Sequence, residues 1–329
     1  MTTTLTPAPN TATTQHRKAS RAAGLIPIAS GIVVVAAVAL PWMVNAYLVS
    51  LAATALVMAV LAMSAQLLVG LAGQPPLGQA AYLVVGAYTA ATLATLTNLG
   101  PILLLAATAA GAVAAAVTGL LAVRVRDTTF LMVTFGIGEL VHAVAGQWGP
   151  GGSEGTHIPP VVALPGLAPM VRPGWVYLYV LACTLIIGAA VIVLTRTRFA
   201  LLLRAIAAHE PRVQATGHHT SRLLLAAYTL AGAIAGAAGA LLVAVTRYVS
   251  PADAAMGISA LALAAALIGS RSMIGACAAA VLLVATRDWV GGLLSGHGST
   301  LLGVCFLVLA YLPRHRMAGL TLRRGRELP

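Results

Sequence analysis

Apolar runs of about 20 residues follow one another along almost the whole chain, and each is long enough for a helix to cross the hydrocarbon core of a bilayer. Of the 329 residues, 60% are hydrophobic and 8% are charged, which is more apolar surface than an ordinary water-soluble core can bury. The sequence therefore predicts an all-α integral membrane protein, a polytopic bundle of about ten transmembrane helices. The predicted spans are 24–41, 47–69, 79–98, 101–123, 128–147, 174–195, 223–246, 254–271, 273–291 and 298–313.

The positive charges are unevenly divided between the segments that join these spans. With the N-terminus inside, 16 of the 19 lysines and arginines lie on the cytoplasmic side, whereas Arg172, Arg247 and Arg287 lie outside. Because cationic segments resist translocation, this bias predicts the orientation and places both termini in the cytoplasm. The predicted domains are a disordered cytoplasmic tail over 1–23, a transmembrane domain over 24–313 and a basic cytoplasmic tail over 314–329.

A net charge of +12 would suggest nucleic-acid binding in a soluble domain, but here the cations lie in short segments between apolar runs. We therefore expect membrane lipid, and no nucleic acid, as a partner. The sequence contains no phosphate-binding loop, dinucleotide fingerprint or zinc-protease helix, and its three cysteines lie within apolar stretches. These features predict no enzyme activity, cofactor or metal site. Any ATP used would be hydrolysed by a separate polypeptide.

The long polar segment inside the apolar part of the chain is 196–222. It carries five arginines and the single acid Glu210. Its charge predicts a cytoplasmic position, and its length predicts a helix-turn-helix between two spans. Such a segment is suited to a partner that pushes on the membrane domain. The segment 148–173, rich in Gly and Pro, is predicted to be an external loop or short helix.

The segment 70–79 interrupts the apolar pattern with three glycines, two prolines and two glutamines. Neither Pro75 nor Pro76 can donate a backbone hydrogen bond, so the segment predicts a break between helices. Two interpretations remain open. The segment is either a plain cytoplasmic turn or a broken, re-entrant helix beside a substrate path, where protein or water satisfies the freed backbone groups.

Glu139 lies inside a predicted span, and an acid within a membrane is a candidate for function. With His142 it forms a Glu-x-x-His pair on one helical face, a spacing also found in di-metal bundles. The chain lacks the second pair and the further carboxylates that such a centre needs. An interhelical hydrogen bond or a position near the outer interface is favoured, and proton coupling stays open.

Four stretches, in order, resemble the membrane permeases of branched-chain amino acid ABC importers, specifically the longer of the two paired permease types. Residues 67–90 read LLVGLAGQPPLGQAAYLVVGAYTA and are similar to the family's first Gly-rich signature. Residues 126–135 (RDTTFLMVTF), followed by Glu139, and residues 151–155 (GGSEG) match the next two motifs. Residues 199–217 (FALLLRAIAAHEPRVQATG) resemble the family's cytoplasmic coupling segment, which the ATPase subunit binds.

The resemblance implies an ABC importer permease in a bacterial inner membrane that carries a small polar solute, most simply a branched-chain or related amino acid. It also implies ABC ATPase subunits, a second permease subunit and an extracytoplasmic solute-binding protein as partners. Arg204, Glu210 and Gly217 would belong to the ATPase-coupling surface. The implied translocation path contains Gln74, Gly78, Gln79 and Glu139.

The chain departs from the family pattern at several positions. Pro76 and Gln79 replace a serine and a histidine of the first signature, Arg271 replaces a small residue, and Pro211 predicts a helix end or kink after Glu210. An alternative function is an ion-coupled secondary transporter that uses Glu139 and the 70–79 break. An intramembrane enzyme is disfavoured, because no nucleophile and base are recognisable together.

Overall fold

The computed structural model describes residues 36–148, 151–161, 170, 172–269 and 272–293, with the side chains of Asp127, Trp148 and 289–293 not included. The chain separates into two compact units, Met1–Ala46 and Tyr47–Pro329. In the first unit, residues 36–43 form a helical segment, α1.

The second unit is built almost entirely from helices. They are α2 (Ala46–Leu67), α3 (Gln79–Leu93), α4 (Gly100–Ala122), α5 (Asp127–Trp148), α6 (Pro173–Thr195), α7 (Arg198–Ala215), α8 (Thr220–Thr246), α9 (Met256–Ile268) and α10 (Met273–Leu293). A π-helical turn, Leu68–Ala72, extends α2, and 3₁₀ turns cover Gly152–Glu154 and Pro251–Ala254. Two short strands, β1 (Thr156–His157) and β2 (Tyr248–Val249), pair antiparallel.

Six helical stretches of the described residues are long and apolar enough to cross a membrane. They are Ala46–Ala72, Gly100–Ala122, Thr128–Gln147, Pro173–Thr195, Thr220–Thr246 and Pro251–Ile268. These stretches correspond to six of the predicted spans, so the prediction of a helical membrane protein is confirmed.

The predicted number of ten spans is not confirmed. The span 298–313 and most of 24–41 lie outside the described residues. The span 79–98 is helical only over Gln79–Leu93, about 22 Å at 1.5 Å per residue, which is less than the thickness of the hydrocarbon core. The span 273–291 falls within α10.

The centre of the second unit is the contact of α3 and α4 with α8. Gly236 of α8 faces the backbone of Ala107 and Gly111 in α4, and a Cβ added at Gly236 would overlap those atoms. Gly86 of α3 faces the same residue of α8. The helices therefore approach as closely as backbones allow, which the small residues of 231–240 permit.

The loop after α5 is held against the end of α8. The Tyr248 hydroxyl donates to the Glu154 carbonyl, and the Ile158 N–H donates to the Arg247 carbonyl at 2.9 Å. The paired strands lie between these two contacts, with Thr156 opposite Val249. This end of the unit is opposite to the one where α7 leads into α8, which we call the α7 end.

Candidate translocation and coupling site

The break predicted at 70–79 is present, and it begins after the π turn. Gly73 adopts a left-handed backbone conformation (φ +69°) that ends the turn, and residues 74–78 are not helical. A Cβ at Gly73 would lie 3.1 Å from that of Ala207, so the end of the turn contacts α7. The chain therefore reaches the α7 end before it turns back to begin α3.

The segment from Leu77 to Ala80, which leads into α3, lies between α5 and α9. The Leu77 N–H donates to Oγ1 of Thr134 at 3.0 Å, and the Ala80 N–H donates to Oγ of Ser259 at 2.9 Å. Thr134 lies about 10 Å along α5 from its start, at 1.5 Å per residue. Ser259 lies midway along the stretch Pro251–Ile268. These contacts lie within two of the apolar helical stretches.

Buried polar side chains collect around this break. Of the eight buried polar residues in the described part of the chain, six lie on the break or on the helices around it, namely Ser64, Gln66, Gln74, Gln79, Thr134 and Ser259. All six are hydroxyl or amide side chains without formal charge. We call them the polar cluster. Its members come from α2, the break, α3, α5 and α9, so tertiary packing assembles it.

Gln79 is the most notable member of the polar cluster. Its side chain is 1% exposed, and its Oε1 accepts a hydrogen bond from Ser64 at 2.8 Å. Its Nε2 has no hydrogen-bond partner among the described residues. Buried amide groups are normally paired, so this donor is available to a group that enters the cluster.

Glu139 does not join the polar cluster. It is five residues beyond Thr134, about 140° around a helix of 3.6 residues per turn, and it is exposed. Gly136, one turn earlier, faces open space. His142 instead contacts the Pro251 carbonyl through Nδ1 at 2.8 Å. The predicted path residues are therefore divided between an internal cluster and an outward face of α5.

α7 carries the kink predicted for the segment 196–222. Its non-helical residue is His209 (φ −155°, ψ 87°), one residue before Glu210 rather than after it. Pro211 explains the break, because its ring would clash with the carbonyl of Ala207 and its missing N–H removes a helical hydrogen bond. The second half of the helix then starts near Glu210, where Pro is well tolerated.

Glu210 is half-buried and is held by a bidentate ion pair. Nε and Nη2 of Arg126 donate to its two carboxylate oxygens at 2.8 and 2.7 Å. Thr220, in the first turn of α8, donates to Oε1 at 2.8 Å, and Gln214 donates to the same atom at 3.3 Å. The hydrogen bond from Arg126 is the main reason that the pKa of this carboxyl lies below its usual range, and partial burial opposes the shift.

The other two predicted coupling residues occupy different environments. Arg204 is exposed on α7. Gly217 has a left-handed backbone (φ +84°), and its N–H donates to the Gln214 carbonyl at 2.9 Å, so it caps the end of α7. A Cβ at Gly217 would meet nothing within 4 Å.

Two shallow cavities of about 400 and 470 Å³ flank this region. One is lined by 217–222 and the other by Arg124, Arg126 and Glu210, and both include Gln214 and Ser221. Arg222 lines the first cavity and, like Arg124, is exposed. The rim is therefore cationic. Among the described residues, no group of three or more His, Cys, Asp or Glu is placed to hold a metal ion.

The sequence pattern does not mark Arg126, Thr134, Thr220 or Ser259 as site residues. Two signals could have pointed to them. The single acid of a cationic segment needs a partner, and Ser259 is the only hydroxyl residue within Met256–Ile268. Neither signal specifies which helix supplies the contact.

The apolar helices and the polar break that they enclose define a multi-pass membrane protein. A family model described as the permease component of branched-chain amino acid transport systems matches residues 47–310. The chain therefore belongs to this family, as its motifs predict.

Two curated relatives are similar to the chain. Both are described as the high-affinity branched-chain amino acid transport system permease protein LivM. The protein from Escherichia coli strain K12 is 29% identical over 284 residues, and the one from Salmonella typhimurium strain LT2 is 28% identical over the same length. The match covers 77% of this chain and 66% of each relative, slightly less than two thirds of the relatives' length. No solved structure is a significant match.

Proposed function

We propose that this chain is the membrane permease subunit of an ATP-driven importer for branched-chain or chemically related amino acids. In this proposal a separate ABC ATPase hydrolyses ATP, and this chain supplies part of the solute path. The observation that carries the proposal is a buried, uncharged polar break inside the apolar bundle of a chain that belongs to this permease family.

The polar cluster forms one wall of the proposed path. Gln74 and Gln79 supply amide groups, and Gly78 packs so closely on the Thr134 backbone that a side chain would not fit there. Uncharged donors and acceptors suit a solute that carries both an ammonium and a carboxylate, because they do not favour one charge over the other. Broken helices at membrane depth commonly line such paths.

The face of α5 that carries Glu139 is the proposed contact with the second permease subunit. A carboxylate exposed within an apolar helix is costly to place in lipid. Gly136 on the same face leaves room for a neighbouring backbone. We therefore place Glu139 where the two permeases meet and water reaches the path.

The α7 end is the proposed cytoplasmic end, because exposed arginines concentrate there and cationic segments stay inside. The ATPase would dock on the exposed surface of α7, including Arg204, and on the cationic rim of the two cavities. The solute-binding protein would approach the opposite end, near β1 and β2. We propose that both termini lie in the cytoplasm, as the charge bias of the sequence predicts, and that the complex lies in the inner membrane of a bacterium.

The test is reconstitution of the complex that co-purifies with the chain after mild detergent extraction. An ATPase and a second permease should be recovered, and liposomes should take up labelled leucine only with ATP and the binding protein. Collapse of the ion gradient should leave that uptake intact. Uptake that survives ATP depletion but stops when the gradient collapses would instead establish the ion-coupled alternative.

Glu139→Gln separates the two functions further. In the importer, the variant should keep ATP-driven uptake, because no proton has to pass through Glu139. In an ion-coupled transporter, it should abolish uptake. Glu139→Asp, which keeps the carboxylate, is the control and should retain uptake under both mechanisms.

A further inference from the structure

We propose that the Arg126–Glu210 ion pair transmits movement of α7 to α5 and to the helix break, so that Arg126 is a positioning residue for transport. The inference rests on the proposed importer function and deepens it. It assigns Glu210 an internal role, in place of the direct ATPase contact implied by the sequence resemblance.

The ion pair joins the ends of four helices. Arg126 precedes α5, and its Nη1 also donates to the Val123 carbonyl at the end of α4 at 2.9 Å. Glu210 lies in α7, and Thr220 at the start of α8 donates to it. A displacement of the Glu210 carboxylate is therefore transmitted directly to α4, α5 and α8.

The kink at His209 places Glu210 at the beginning of the second half of α7. A rotation of one half of α7 against the other would move this carboxylate. Glu210 is the only acid in the segment 196–222. The ion pair has two parallel hydrogen bonds, a geometry that resists rotation as well as separation.

α5 then carries the displacement to the break. Arg126 and Thr134 are eight residues apart, about 12 Å along a helix at 1.5 Å per residue. Thr134 accepts the hydrogen bond of Leu77, and Gly78 packs against its backbone. A helix transmits an axial shift with little loss, so motion at Arg126 reaches the polar cluster without any other intermediate.

The same geometry argues against Glu210 as a docking contact. Both of its oxygens accept hydrogen bonds from Arg126, and Oε1 also accepts from Thr220 and Gln214. A partner that bound this carboxylate would have to break the ion pair first. The exposed cations of α7, such as Arg204, are free of that requirement.

The test uses the whole complex in liposomes and measures uptake and ATP hydrolysis in the same sample. Arg126→Gln and Glu210→Gln should each lower the ratio of solute imported to ATP hydrolysed by about 10-fold, a typical size for coupling between linked sites. Assembly and hydrolysis should persist. Arg126→Glu combined with Glu210→Arg should restore much of the ratio. Arg287→Gln, which removes an exposed cation on α10 outside the pair and outside the rim of the cavities, should leave it unchanged.

Arg126→Lys distinguishes a coupling role from simple loss of folding, because it keeps the charge and removes the bidentate geometry. It should assemble normally and show an intermediate ratio. An unchanged ratio of solute imported to ATP hydrolysed in Arg126→Gln and Glu210→Gln would overturn the coupling role of the ion pair while leaving the importer function in place. Loss of assembly in every variant, including Arg126→Lys, would assign the pair to folding and overturn it too. Absence of ATP-driven uptake by the wild-type complex would overturn both proposals.

Discussion

Oγ1 of Thr134 is positioned by two hydrogen bonds at once. It accepts from the Leu77 N–H at 3.0 Å and donates to the Leu131 carbonyl at 3.0 Å. The residue is fully buried. A single hydroxyl thus fixes the non-helical segment before α3 to the interior of α5, and it satisfies a backbone donor that the break would otherwise leave unpaired.

Thr134→Val should destabilise the protein, because it preserves the shape of the side chain and leaves the Leu77 N–H unpaired. The expected cost is about 1 kcal/mol, because the N–H that loses its partner is half-buried. Thermal unfolding of the purified protein in detergent should show a lower midpoint. Thr129→Val, on the exposed face of α5, is the control and should change little. Equal midpoints for the two variants would show that the hydrogen bond does not support the break.

The Arg126–Glu210 pair should make stability depend on pH in the acid range. Because the pKa of Glu210 is lowered by the hydrogen bond from Arg126, its contribution is present above the usual glutamate value of about 4.3. The contribution is lost as the pH falls through the lower pKa of the folded state. The difference in unfolding midpoint between wild type and Glu210→Gln should therefore shrink as the pH falls from 7 to below the usual glutamate value. The unfolding midpoint of Arg124→Gln should differ from that of wild type by the same amount at every pH. A difference for Glu210→Gln that is equally independent of pH would contradict the assignment.

Gly236→Ala should be strongly disruptive, because the added methyl group would overlap the backbone of Ala107 and Gly111. Overpacking of this kind costs about 1–3 kcal/mol or more. Gly136→Ala is the matched change in α5, where nothing lies within 4 Å. It should be neutral or stabilising, since alanine favours a helix over glycine by about 1 kcal/mol. The yield of folded monomer in size-exclusion chromatography should separate the two, and similar yields would show that α4 and α8 can move apart.

Gly217→Ala should cost about 1–2 kcal/mol, because the residue adopts a left-handed backbone that alanine disfavours. Gly217→Asn should cost less, since asparagine tolerates this conformation better. ATP-driven uptake should survive in both variants if the glycine acts only as the helix cap. Normal stability with uptake lost in both would instead place Gly217 in the contact with the ATPase.

Hydropathy, charge and residue size are local properties, and they predicted much of the molecule. The six confirmed helical stretches follow from runs of apolar residues, and the close contact of α4 and α8 follows from the glycines of 231–240. Pro75 and Pro76 predicted the break before α3. Pro211 predicted the kink in α7, although the structure places it at His209.

The partner of each polar group could not be derived in this way. Arg126 and Glu210 are 84 residues apart, and Ala80 and Ser259 are 179 apart. The outward direction of Glu139 likewise depends on how α5 is rotated against α9 and the break. The sequence by itself determined which segments are helical and where the helices break, because both depend on neighbouring residues. Only the tertiary structure decided which buried polar groups meet, because helix packing sets their distances and orientations.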